Sequence, residues 1–245
     1  MQHPYIILTM RRTGGTSLMS FMSAISTFPT RQHEPLNLDR IWGDVLQNFN
    51  ATRDIDAMRA ALVDKLAERP NIKHCFEIIP PQINRVLIEE CARLGYRFFV
   101  LTRRDEASRL KSLFLALATE AWGPEQAAQI YPEIRAGLRQ VRAMPPEQGR
   151  QTVYQAAIAL GQVLTLLRNR QIPHDWLIFE EIYKGETPIQ DHAIRIVSQL
   201  GASIAPDDER LRAFASGAGQ NSDSIQDFVP GMPALLQLLD ELVLA

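Results

Sequence analysis

The apolar residues of this chain follow two kinds of pattern, short continuous runs and helical spacings. Tyr5–Thr9 is an apolar run closed by a threonine, which is typical of a strand buried on both faces of a parallel sheet. From Leu18 to Ile25 the apolar residues recur at i, i+3, i+4 and i+7, which is the spacing of one helix face. The chain is therefore predicted to open with a strand that leads directly into a helix.

The same two patterns continue along the whole sequence. Their alternation predicts a single α/β domain, residues 1–245, with a mainly parallel sheet flanked by helices. Further strands are predicted at 72–79, 96–102 and 176–179, helices at 54–68, 83–94, 105–122, 125–142, 151–170, 188–200 and from about 233, and loops at 27–37, 144–149 and 203–231.

The segment between the first strand and the first helix contains small residues, hydroxyls and two arginines. A helix N-terminus presents free N–H groups and the positive end of the helix dipole, and glycines allow an anion to approach the backbone. A phosphate site is therefore predicted here. A nucleotide-hydrolysing P-loop would place Gly-Lys-Ser/Thr in this segment, whereas Gly14 and Gly15 are adjacent and no lysine follows them.

A second strand–loop–helix junction carries a similar combination of residues. Arg104 follows a predicted strand, and Ser112 stands eight residues later on the next predicted helix. A guanidinium fork and a hydroxyl at this spacing can hold one phosphate between them. Two such loops on one chain are much less easily accidental than one, and each strengthens the prediction of the other as a phosphate site.

Both loops resemble the cofactor motifs of sulfotransferases that use 3′-phosphoadenylyl sulfate (PAPS). Arg12–Thr16, with the sequence Arg-Thr-Gly-Gly-Thr, resembles their 5′-phosphosulfate loop, and Arg104 with Ser112 resembles their 3′-phosphate motif. Residues 112–122 look like a helix of bacterial carbohydrate sulfotransferases of the trehalose-sulfating type, and residues 176–182 and 196–201 are similar to their late block. Two departures are Arg11, where proline is usual, and Phe179, where tyrosine is usual.

The resemblance implies a P-loop nucleotide-kinase-like sulfotransferase architecture and an activity. The enzyme would move the sulfuryl group of PAPS to a hydroxyl of a small-molecule or glycan acceptor, a carbohydrate or glycolipid, and release adenosine 3′,5′-bisphosphate. The residues that would bind the cofactor are Arg11, Arg12, Thr13, Gly14, Gly15, Thr16, Ser17, Arg104 and Ser112, and those that would take part in catalysis are Glu34, Arg12 and His74.

The proton acceptor for the hydroxyl is the least determined part of this prediction. Glu34 occupies the position that resembles the acidic segment of the family and is the first choice. His74 and Glu77 are rivals, and because they are three positions apart they face opposite sides of a regular strand, so at most one would face the cleft. Lys73 is expected to be a solvated lysine at a strand end.

Composition narrows the class of protein further. The chain is 46% hydrophobic and has a net charge of −2, which does not favour nucleic-acid binding. Cys75 and Cys91 lack metal-ligand spacing and are expected to be free, buried thiols, and no metal is expected. We expect no signal peptide, no membrane span and a cytoplasmic location. The leucines at 235, 236, 238, 239 and 242 are expected to seal a core, and a homodimer stays possible.

Two other interpretations stay open at this stage. An ATP-dependent small-molecule kinase would share the strand–loop–helix start, although the missing Gly-Lys-Ser/Thr argues against it. A catalytically inactive nucleotide-binding module would keep both phosphate loops without a working base.

Overall fold

The computed structural model describes residues 2–216 and 222–243. The chain forms two compact units, unit 1 with residues 1–102 and 158–216, and unit 2 with residues 103–157 and 217–245. All the strands that the described residues contain lie in unit 1, and the described part of unit 2 is helical. The expectation of a single domain over residues 1–245 stays a prediction.

Unit 1 is built around a four-stranded sheet in which every pairing is parallel, as the sequence predicted. The strands are β1 (Tyr5–Thr9), β2 (Ile72–Cys75), β3 (Arg97–Thr102) and β4 (His174–Ile178), in the order β2-β1-β3-β4. β1 is central, and all five of its residues are buried, which explains its continuous apolar sequence. Its carboxyl end is the edge of the sheet at which an α/β protein binds ligands.

Helices cover this sheet and complete the core of unit 1. The side chains of Leu18 and Met22, on the helix that follows β1, are fully buried against Phe99 and Ile196 in one cluster. The helices are α1 (Gly15–Ser23), α2 (Gly43–Thr52), α3 (Ile55–Lys65), α4 (Pro81–Arg93), the second part of α7 (Pro146–Asn169), α8 (Phe179–Tyr183), α9 (Ile189–Gln199) and α10 (Glu209–Ala215).

Unit 2 has its own apolar core. Leu113 and Phe114 pack there with Met232, Leu235 and Leu239, so the C-terminal leucines do seal a core. Its helices are α5 (Glu106–Thr119), α6 (Pro124–Arg135), the first part of α7, a 3-10 helix at Ser222–Phe228 and α11 (Met232–Val243). No helix in the described parts of the chain is both long enough and apolar enough to cross a bilayer.

Several predicted element boundaries were wrong. The strand predicted at 72–79 ends at Cys75, and a 3-10 helix at Phe76–Ile78 follows it. The helix predicted at 125–142 ends at Arg135, because Gly137 has a φ of +70° and closes it. The apolar run in the first case cannot by itself separate strand from helical turn.

Two predicted loops contain helix. α7 begins at Pro146 inside the predicted link 144–149, since proline is tolerated in the first turn, where its missing N–H has no helical partner. The predicted loop 203–231 contains α10 and the 3-10 helix Ser222–Phe228, while its residues 217–221 lie outside the described residues. The helix α2 was not predicted, and its N-cap residue, Trp42, makes no side-chain capping hydrogen bond.

Candidate phosphate-binding site

The loop from β1 to α1 is held by hydroxyl groups bonded to backbone carbonyls. Thr9 Oγ1 donates to the carbonyl of Leu101 at 2.9 Å, and Thr13 Oγ1 donates to the carbonyl of Met10 at 2.7 Å. Arg12, in the middle of the loop, has a φ of +68°, a conformation that costs a non-glycine residue energy. Strain of this kind is typical of ligand-binding loops.

Gly14 is required by its backbone angle and by its neighbours. Its φ is +78°, and a β-carbon there would lie 2.8 Å from the ring of Phe179 and 2.9 Å from the ring of Tyr183. Tyr183 also donates its hydroxyl to the carbonyl of Gly14 at 3.1 Å. Two aromatic side chains of α8 therefore cover this turn, one of them the Phe179 that departs from the family pattern.

The N-terminus of α1 is open. Its N-cap is Gly14, which has no side chain to cap the helix, and the first turn of α1 contains no acidic residue. The Tyr183 hydroxyl interacts with Ser17 and with the backbone of Leu18 at the side of this turn. The first N–H groups of a helix have no helical carbonyl to bond, and they carry the positive end of the dipole. Thr16 and Ser17 are exposed in this turn, so backbone N–H groups and hydroxyls are available together to an anion.

Arg11 is positioned by a buried carboxylate. Glu77 Oε1 accepts from the backbone N–H of Arg11 at 2.7 Å and from its Nε at 3.0 Å, and only 5% of the Glu77 side chain is exposed. Glu77 comes from the 3-10 helix after β2 and fixes the start of the loop. Its role in the structure is to hold the loop in place.

Lys73 is not the solvated lysine that the sequence predicted. Its side chain is 6% exposed, its stem passes 3.2 Å from the position that a β-carbon of Gly15 would take, and its Nζ donates to Thr16 Oγ1 at 2.9 Å. The same Nζ forms an ion pair with Glu34. Burial alone would lower the pKa of Lys73, but the acidic groups of Cys75 and Glu34 raise it. The prediction failed because both polar partners of Lys73 are distant in sequence.

Glu34 lies beside the anion site, on the loop between α1 and α2. Its φ is +53°, and its second oxygen accepts from Asn37 Nδ2 at 2.8 Å. Burial alone would raise the pKa of Glu34, but the Lys73 ammonium and the hydrogen bonds from Lys73 and Asn37 lower it to about 2. Glu34 is therefore an ionised carboxylate, placed next to the open N-terminus of α1 by its partner Lys73.

His74 is oriented differently, because neighbouring strand residues point to opposite faces. Its side chain is buried, and its Nε2 lies 2.6 Å from Asn84 Oδ1. The amide nitrogen of Asn84 donates to the carbonyls of Phe76 and Ile79, which leaves Oδ1 to accept from His74. Burial lowers the pKa of His74 to about 4. The imidazole is thus neutral and enclosed, on the other face of β2 from Lys73.

The residues that were predicted to bind the second phosphate belong to unit 2. Arg104 is exposed and immediately precedes the N-cap of α5, Asp105, whose Oδ1 accepts from the N–H of Ser108 at 2.9 Å. Ser112 is half-buried on α5. Arg109, which lies between Arg104 and Ser112 in the sequence, is fully buried and forms two hydrogen bonds with the carboxylate of Glu106.

Sequence reasoning missed two residues that contact the candidate phosphate loop, Lys73 and Tyr183. Lys73 was visible as a charged residue inside a predicted strand, and a charge that a strand buries is usually paired. Tyr183 had no local signal, because its contact with Gly14 spans 169 residues. Among the described residues, no group of three or more histidine, cysteine or acidic side chains could hold a metal ion.

Comparisons with known proteins give remote likenesses. No family model matches the chain, and no curated protein matches it. A crystal structure of a sulfotransferase from Alicyclobacillus acidocaldarius is 16% identical, with a TM-score of 0.47, over 99% of this chain and 96% of that one. The sulfotransferase domain of the Synechococcus PCC 7002 olefin synthase is 14% identical, with a TM-score of 0.42, over 99% of this chain and 96% of that domain.

Proposed function

We propose that this chain is a sulfotransferase that moves the sulfuryl group of PAPS to a hydroxyl of a carbohydrate or glycolipid. The observation that carries the proposal is the open N-terminus of α1, which has an ionised carboxylate and a lysine beside it. The sequence resemblance of the loop Arg12–Thr16 to a 5′-phosphosulfate loop supports it.

The loop and the first turn of α1 would bind the 5′-phosphosulfate. Backbone N–H groups of the turn and the hydroxyls of Thr16 and Ser17 are suited to a group with several acceptor oxygens. Arg11, held by Glu77, and Arg12 would add positive charge where the leaving phosphate becomes more negative.

The 3′-phosphate is assigned to Arg104 and Ser112. This part of the proposal depends on their eight-residue spacing and on the exposure of Arg104. It distinguishes adenosine 3′,5′-bisphosphate from nucleotides that lack a 3′-phosphate.

In the proposed reaction the acceptor oxygen attacks sulfur in line with the bond to the phosphate. A new oxygen–sulfur bond forms, the sulfur–oxygen bond to the phosphate breaks, and its electron pair leaves with adenosine 3′,5′-bisphosphate. The hydroxyl proton passes to Glu34, which is ionised and borders the anion site. His74, enclosed and bonded to Asn84, is the weaker candidate for this role.

One observation favours a second candidate, an ATP-dependent kinase. Lys73 lies beside Thr16 and supplies the cation that the loop sequence lacks, which is the charge a P-loop lysine would provide. ATP with magnesium should stabilise such a kinase more than adenosine 3′,5′-bisphosphate does, and the sulfotransferase proposal predicts the opposite order.

Ligand-induced thermal stabilisation tests the proposed cofactor. Adenosine 3′,5′-bisphosphate should clearly raise Tm, because a ligand at a hundredfold excess over Kd adds about 2.7 kcal/mol to the free energy of unfolding. Adenosine 5′-phosphate should raise Tm much less. Arg104→Ala should weaken bisphosphate binding by about 2 kcal/mol, as loss of a charge-assisted contact would. Arg103→Ala is the matched control and should cost clearly less. Equal Tm shifts from adenosine 3′,5′-bisphosphate and adenosine 5′-phosphate would overturn the assignment of the 3′-phosphate to Arg104 and Ser112.

A further inference from the structure

Lys73 contacts two groups that have different tasks in the proposed reaction. Its Nζ bonds Thr16 Oγ1 at the anion site and is paired at the same time with the carboxylate of Glu34. The side chain is almost completely buried, so the ammonium has little water to replace a lost partner. A change at one of these contacts must therefore affect the other.

Several other ionisable groups surround this pair. Glu77, on the turn after β2, acts on Lys73 by its charge, and Cys75, a buried thiol on β2, hydrogen-bonds Glu34. From the loop before α2, His33 interacts by charge with Glu34 and with Arg40, and His74 also interacts with Glu34. Burial, then the Lys73 charge, lowers the pKa of His33, and burial raises that of Cys75. Lys73 is thus the principal positive charge on Glu34.

We propose that an anion bound at the N-terminus of α1 takes Lys73 away from Glu34, so that binding of the sulfuryl donor releases the carboxylate as a proton acceptor. The identity of the anion and the role of Glu34 rest on the proposed function, whereas the exchange itself rests on the position of Lys73 between the two groups.

The charges favour this exchange. A phosphate or phosphosulfate brings more negative charge than one carboxylate, and at Thr16 it would be within reach of the same Nζ. Glu34 would keep the hydrogen bond from Asn37 but lose its counter-charge. Since burial alone raises its pKa, an unpaired Glu34 becomes a stronger base, closer to the working pH.

Carbon-13 NMR of labelled glutamate carboxyls measures the exchange directly, with Glu34→Gln used to assign the signal. In the free protein Glu34 should titrate well below the other glutamates. Saturating adenosine 3′,5′-bisphosphate should raise its pKa by about one or more, because the principal cause of the low value is removed. Inorganic sulfate at high concentration is the second probe, since it can occupy the anion site without a nucleotide.

A matched pair of lysine variants makes the test specific. In Lys73→Met, Glu34 should have a raised pKa before any ligand is added, and the bisphosphate should raise it by less than in the wild type, because only direct repulsion between the two anions remains. Lys65→Met removes a lysine paired with Asp44 at 3.3 Å, away from the loop, and should leave the response of Glu34 intact. Lys73→Arg keeps the charge and should preserve part of the response if Lys73→Met is poorly folded.

The outcomes separate the exchange from the proposed function. If the bisphosphate binds and the pKa of Glu34 does not change, the exchange is overturned and the sulfotransferase proposal stands. If the bisphosphate fails to bind but sulfate raises the pKa of Glu34 in a manner that needs Lys73, the exchange stands and the proposed donor falls. If the bisphosphate does not bind and neither ligand changes the pKa of Glu34, both are overturned.

Discussion

Gly14 is under two local constraints: its φ is positive, and two aromatic rings occupy the space that a β-carbon would need. Gly14→Ala should destabilise the protein by about 1–2 kcal/mol from the backbone angle alone, with the contacts to Phe179 and Tyr183 adding to it. Binding of adenosine 3′,5′-bisphosphate should weaken as well, since the first turn of α1 would shift. Chemical denaturation and calorimetric titration measure the two effects.

The control for this substitution is Gly161→Ala. Nothing lies within 4 Å of the position that its β-carbon would take, and it stands inside α7. Replacement of a helical glycine by alanine should leave stability unchanged or raise it by about 0.5–1 kcal/mol. Equal destabilisation by the two substitutions would show that the environment of Gly14 has been misread.

For individual residues, the sequence predicted which residues form the loop but not the roles of the residues around it. Gly14 and Thr16 could be recognised because the strand, the glycines and the helix are contiguous. The contacts of Lys73 join residues 57 and 39 positions apart, and no local pattern encodes such a pairing. A solvated lysine was the ordinary interpretation, and the fold overrode it.

Among the elements, the 3-10 helix Phe76–Ile78 has the largest effect on the loop because it carries Glu77. Glu77→Gln keeps the size of the side chain but removes the charge that holds both the N–H and the Nε of Arg11. We expect a loss of about 1–3 kcal/mol of stability, because the contact is buried, together with weaker bisphosphate binding.

Glu68→Gln is the comparison for that variant. Glu68 forms an ion pair with Arg31 in which both side chains are more than half exposed. Such a pair contributes less than about 1 kcal/mol, so stability and bisphosphate binding should change little. A larger loss from Glu68→Gln than from Glu77→Gln in urea denaturation would contradict the role given to Glu77.

The elements also show why boundaries were predicted less well than the elements themselves. β1 and β3 are continuous apolar runs that a parallel sheet requires, and both were found. β2 ends early although apolar residues continue after it, because Glu77 turns toward Arg11 and Pro80 begins the approach to α4. Both causes depend on the tertiary structure, about which hydrophobic periodicity gives no information.

For the whole molecule, stability should rise with pH between about 4 and 6.5. His74 is buried with a pKa of about 4, below its usual value of 6.5, so the unfolded chain binds the extra proton in this window. The stabilisation is complete above the unfolded pKa and is lost as pH falls toward the folded one. From pH 7 to pH 5 the protein should lose about 2 kcal/mol through His74.

His74→Gln tests this origin of the pH dependence, because glutamine does not titrate and can still donate to Asn84. The variant should show a smaller fall in unfolding free energy from pH 7 to pH 5 than the wild type. Part of the slope should persist, since the pKa of His33 is also lowered. The stabilisation from Glu34, whose pKa is lowered to about 2, is present above about pH 4.5 and is lost only as the pH falls below it, so it does not contribute to this slope. Identical slopes in the two proteins would rule out His74 as the cause.

The central position of β1 has a consequence for the chain while the ribosome is still making it. Thr9 is bonded to the carbonyl of Leu101, 92 residues further on, and β1 pairs with β3 along its whole length. At about 5–20 residues per second, the central strand waits roughly 5–20 seconds for that neighbour to be synthesised. During this time an apolar strand with open edges is exposed to other nascent chains. Yield in the cell should therefore depend on chaperones that bind early, before β3 has been synthesised.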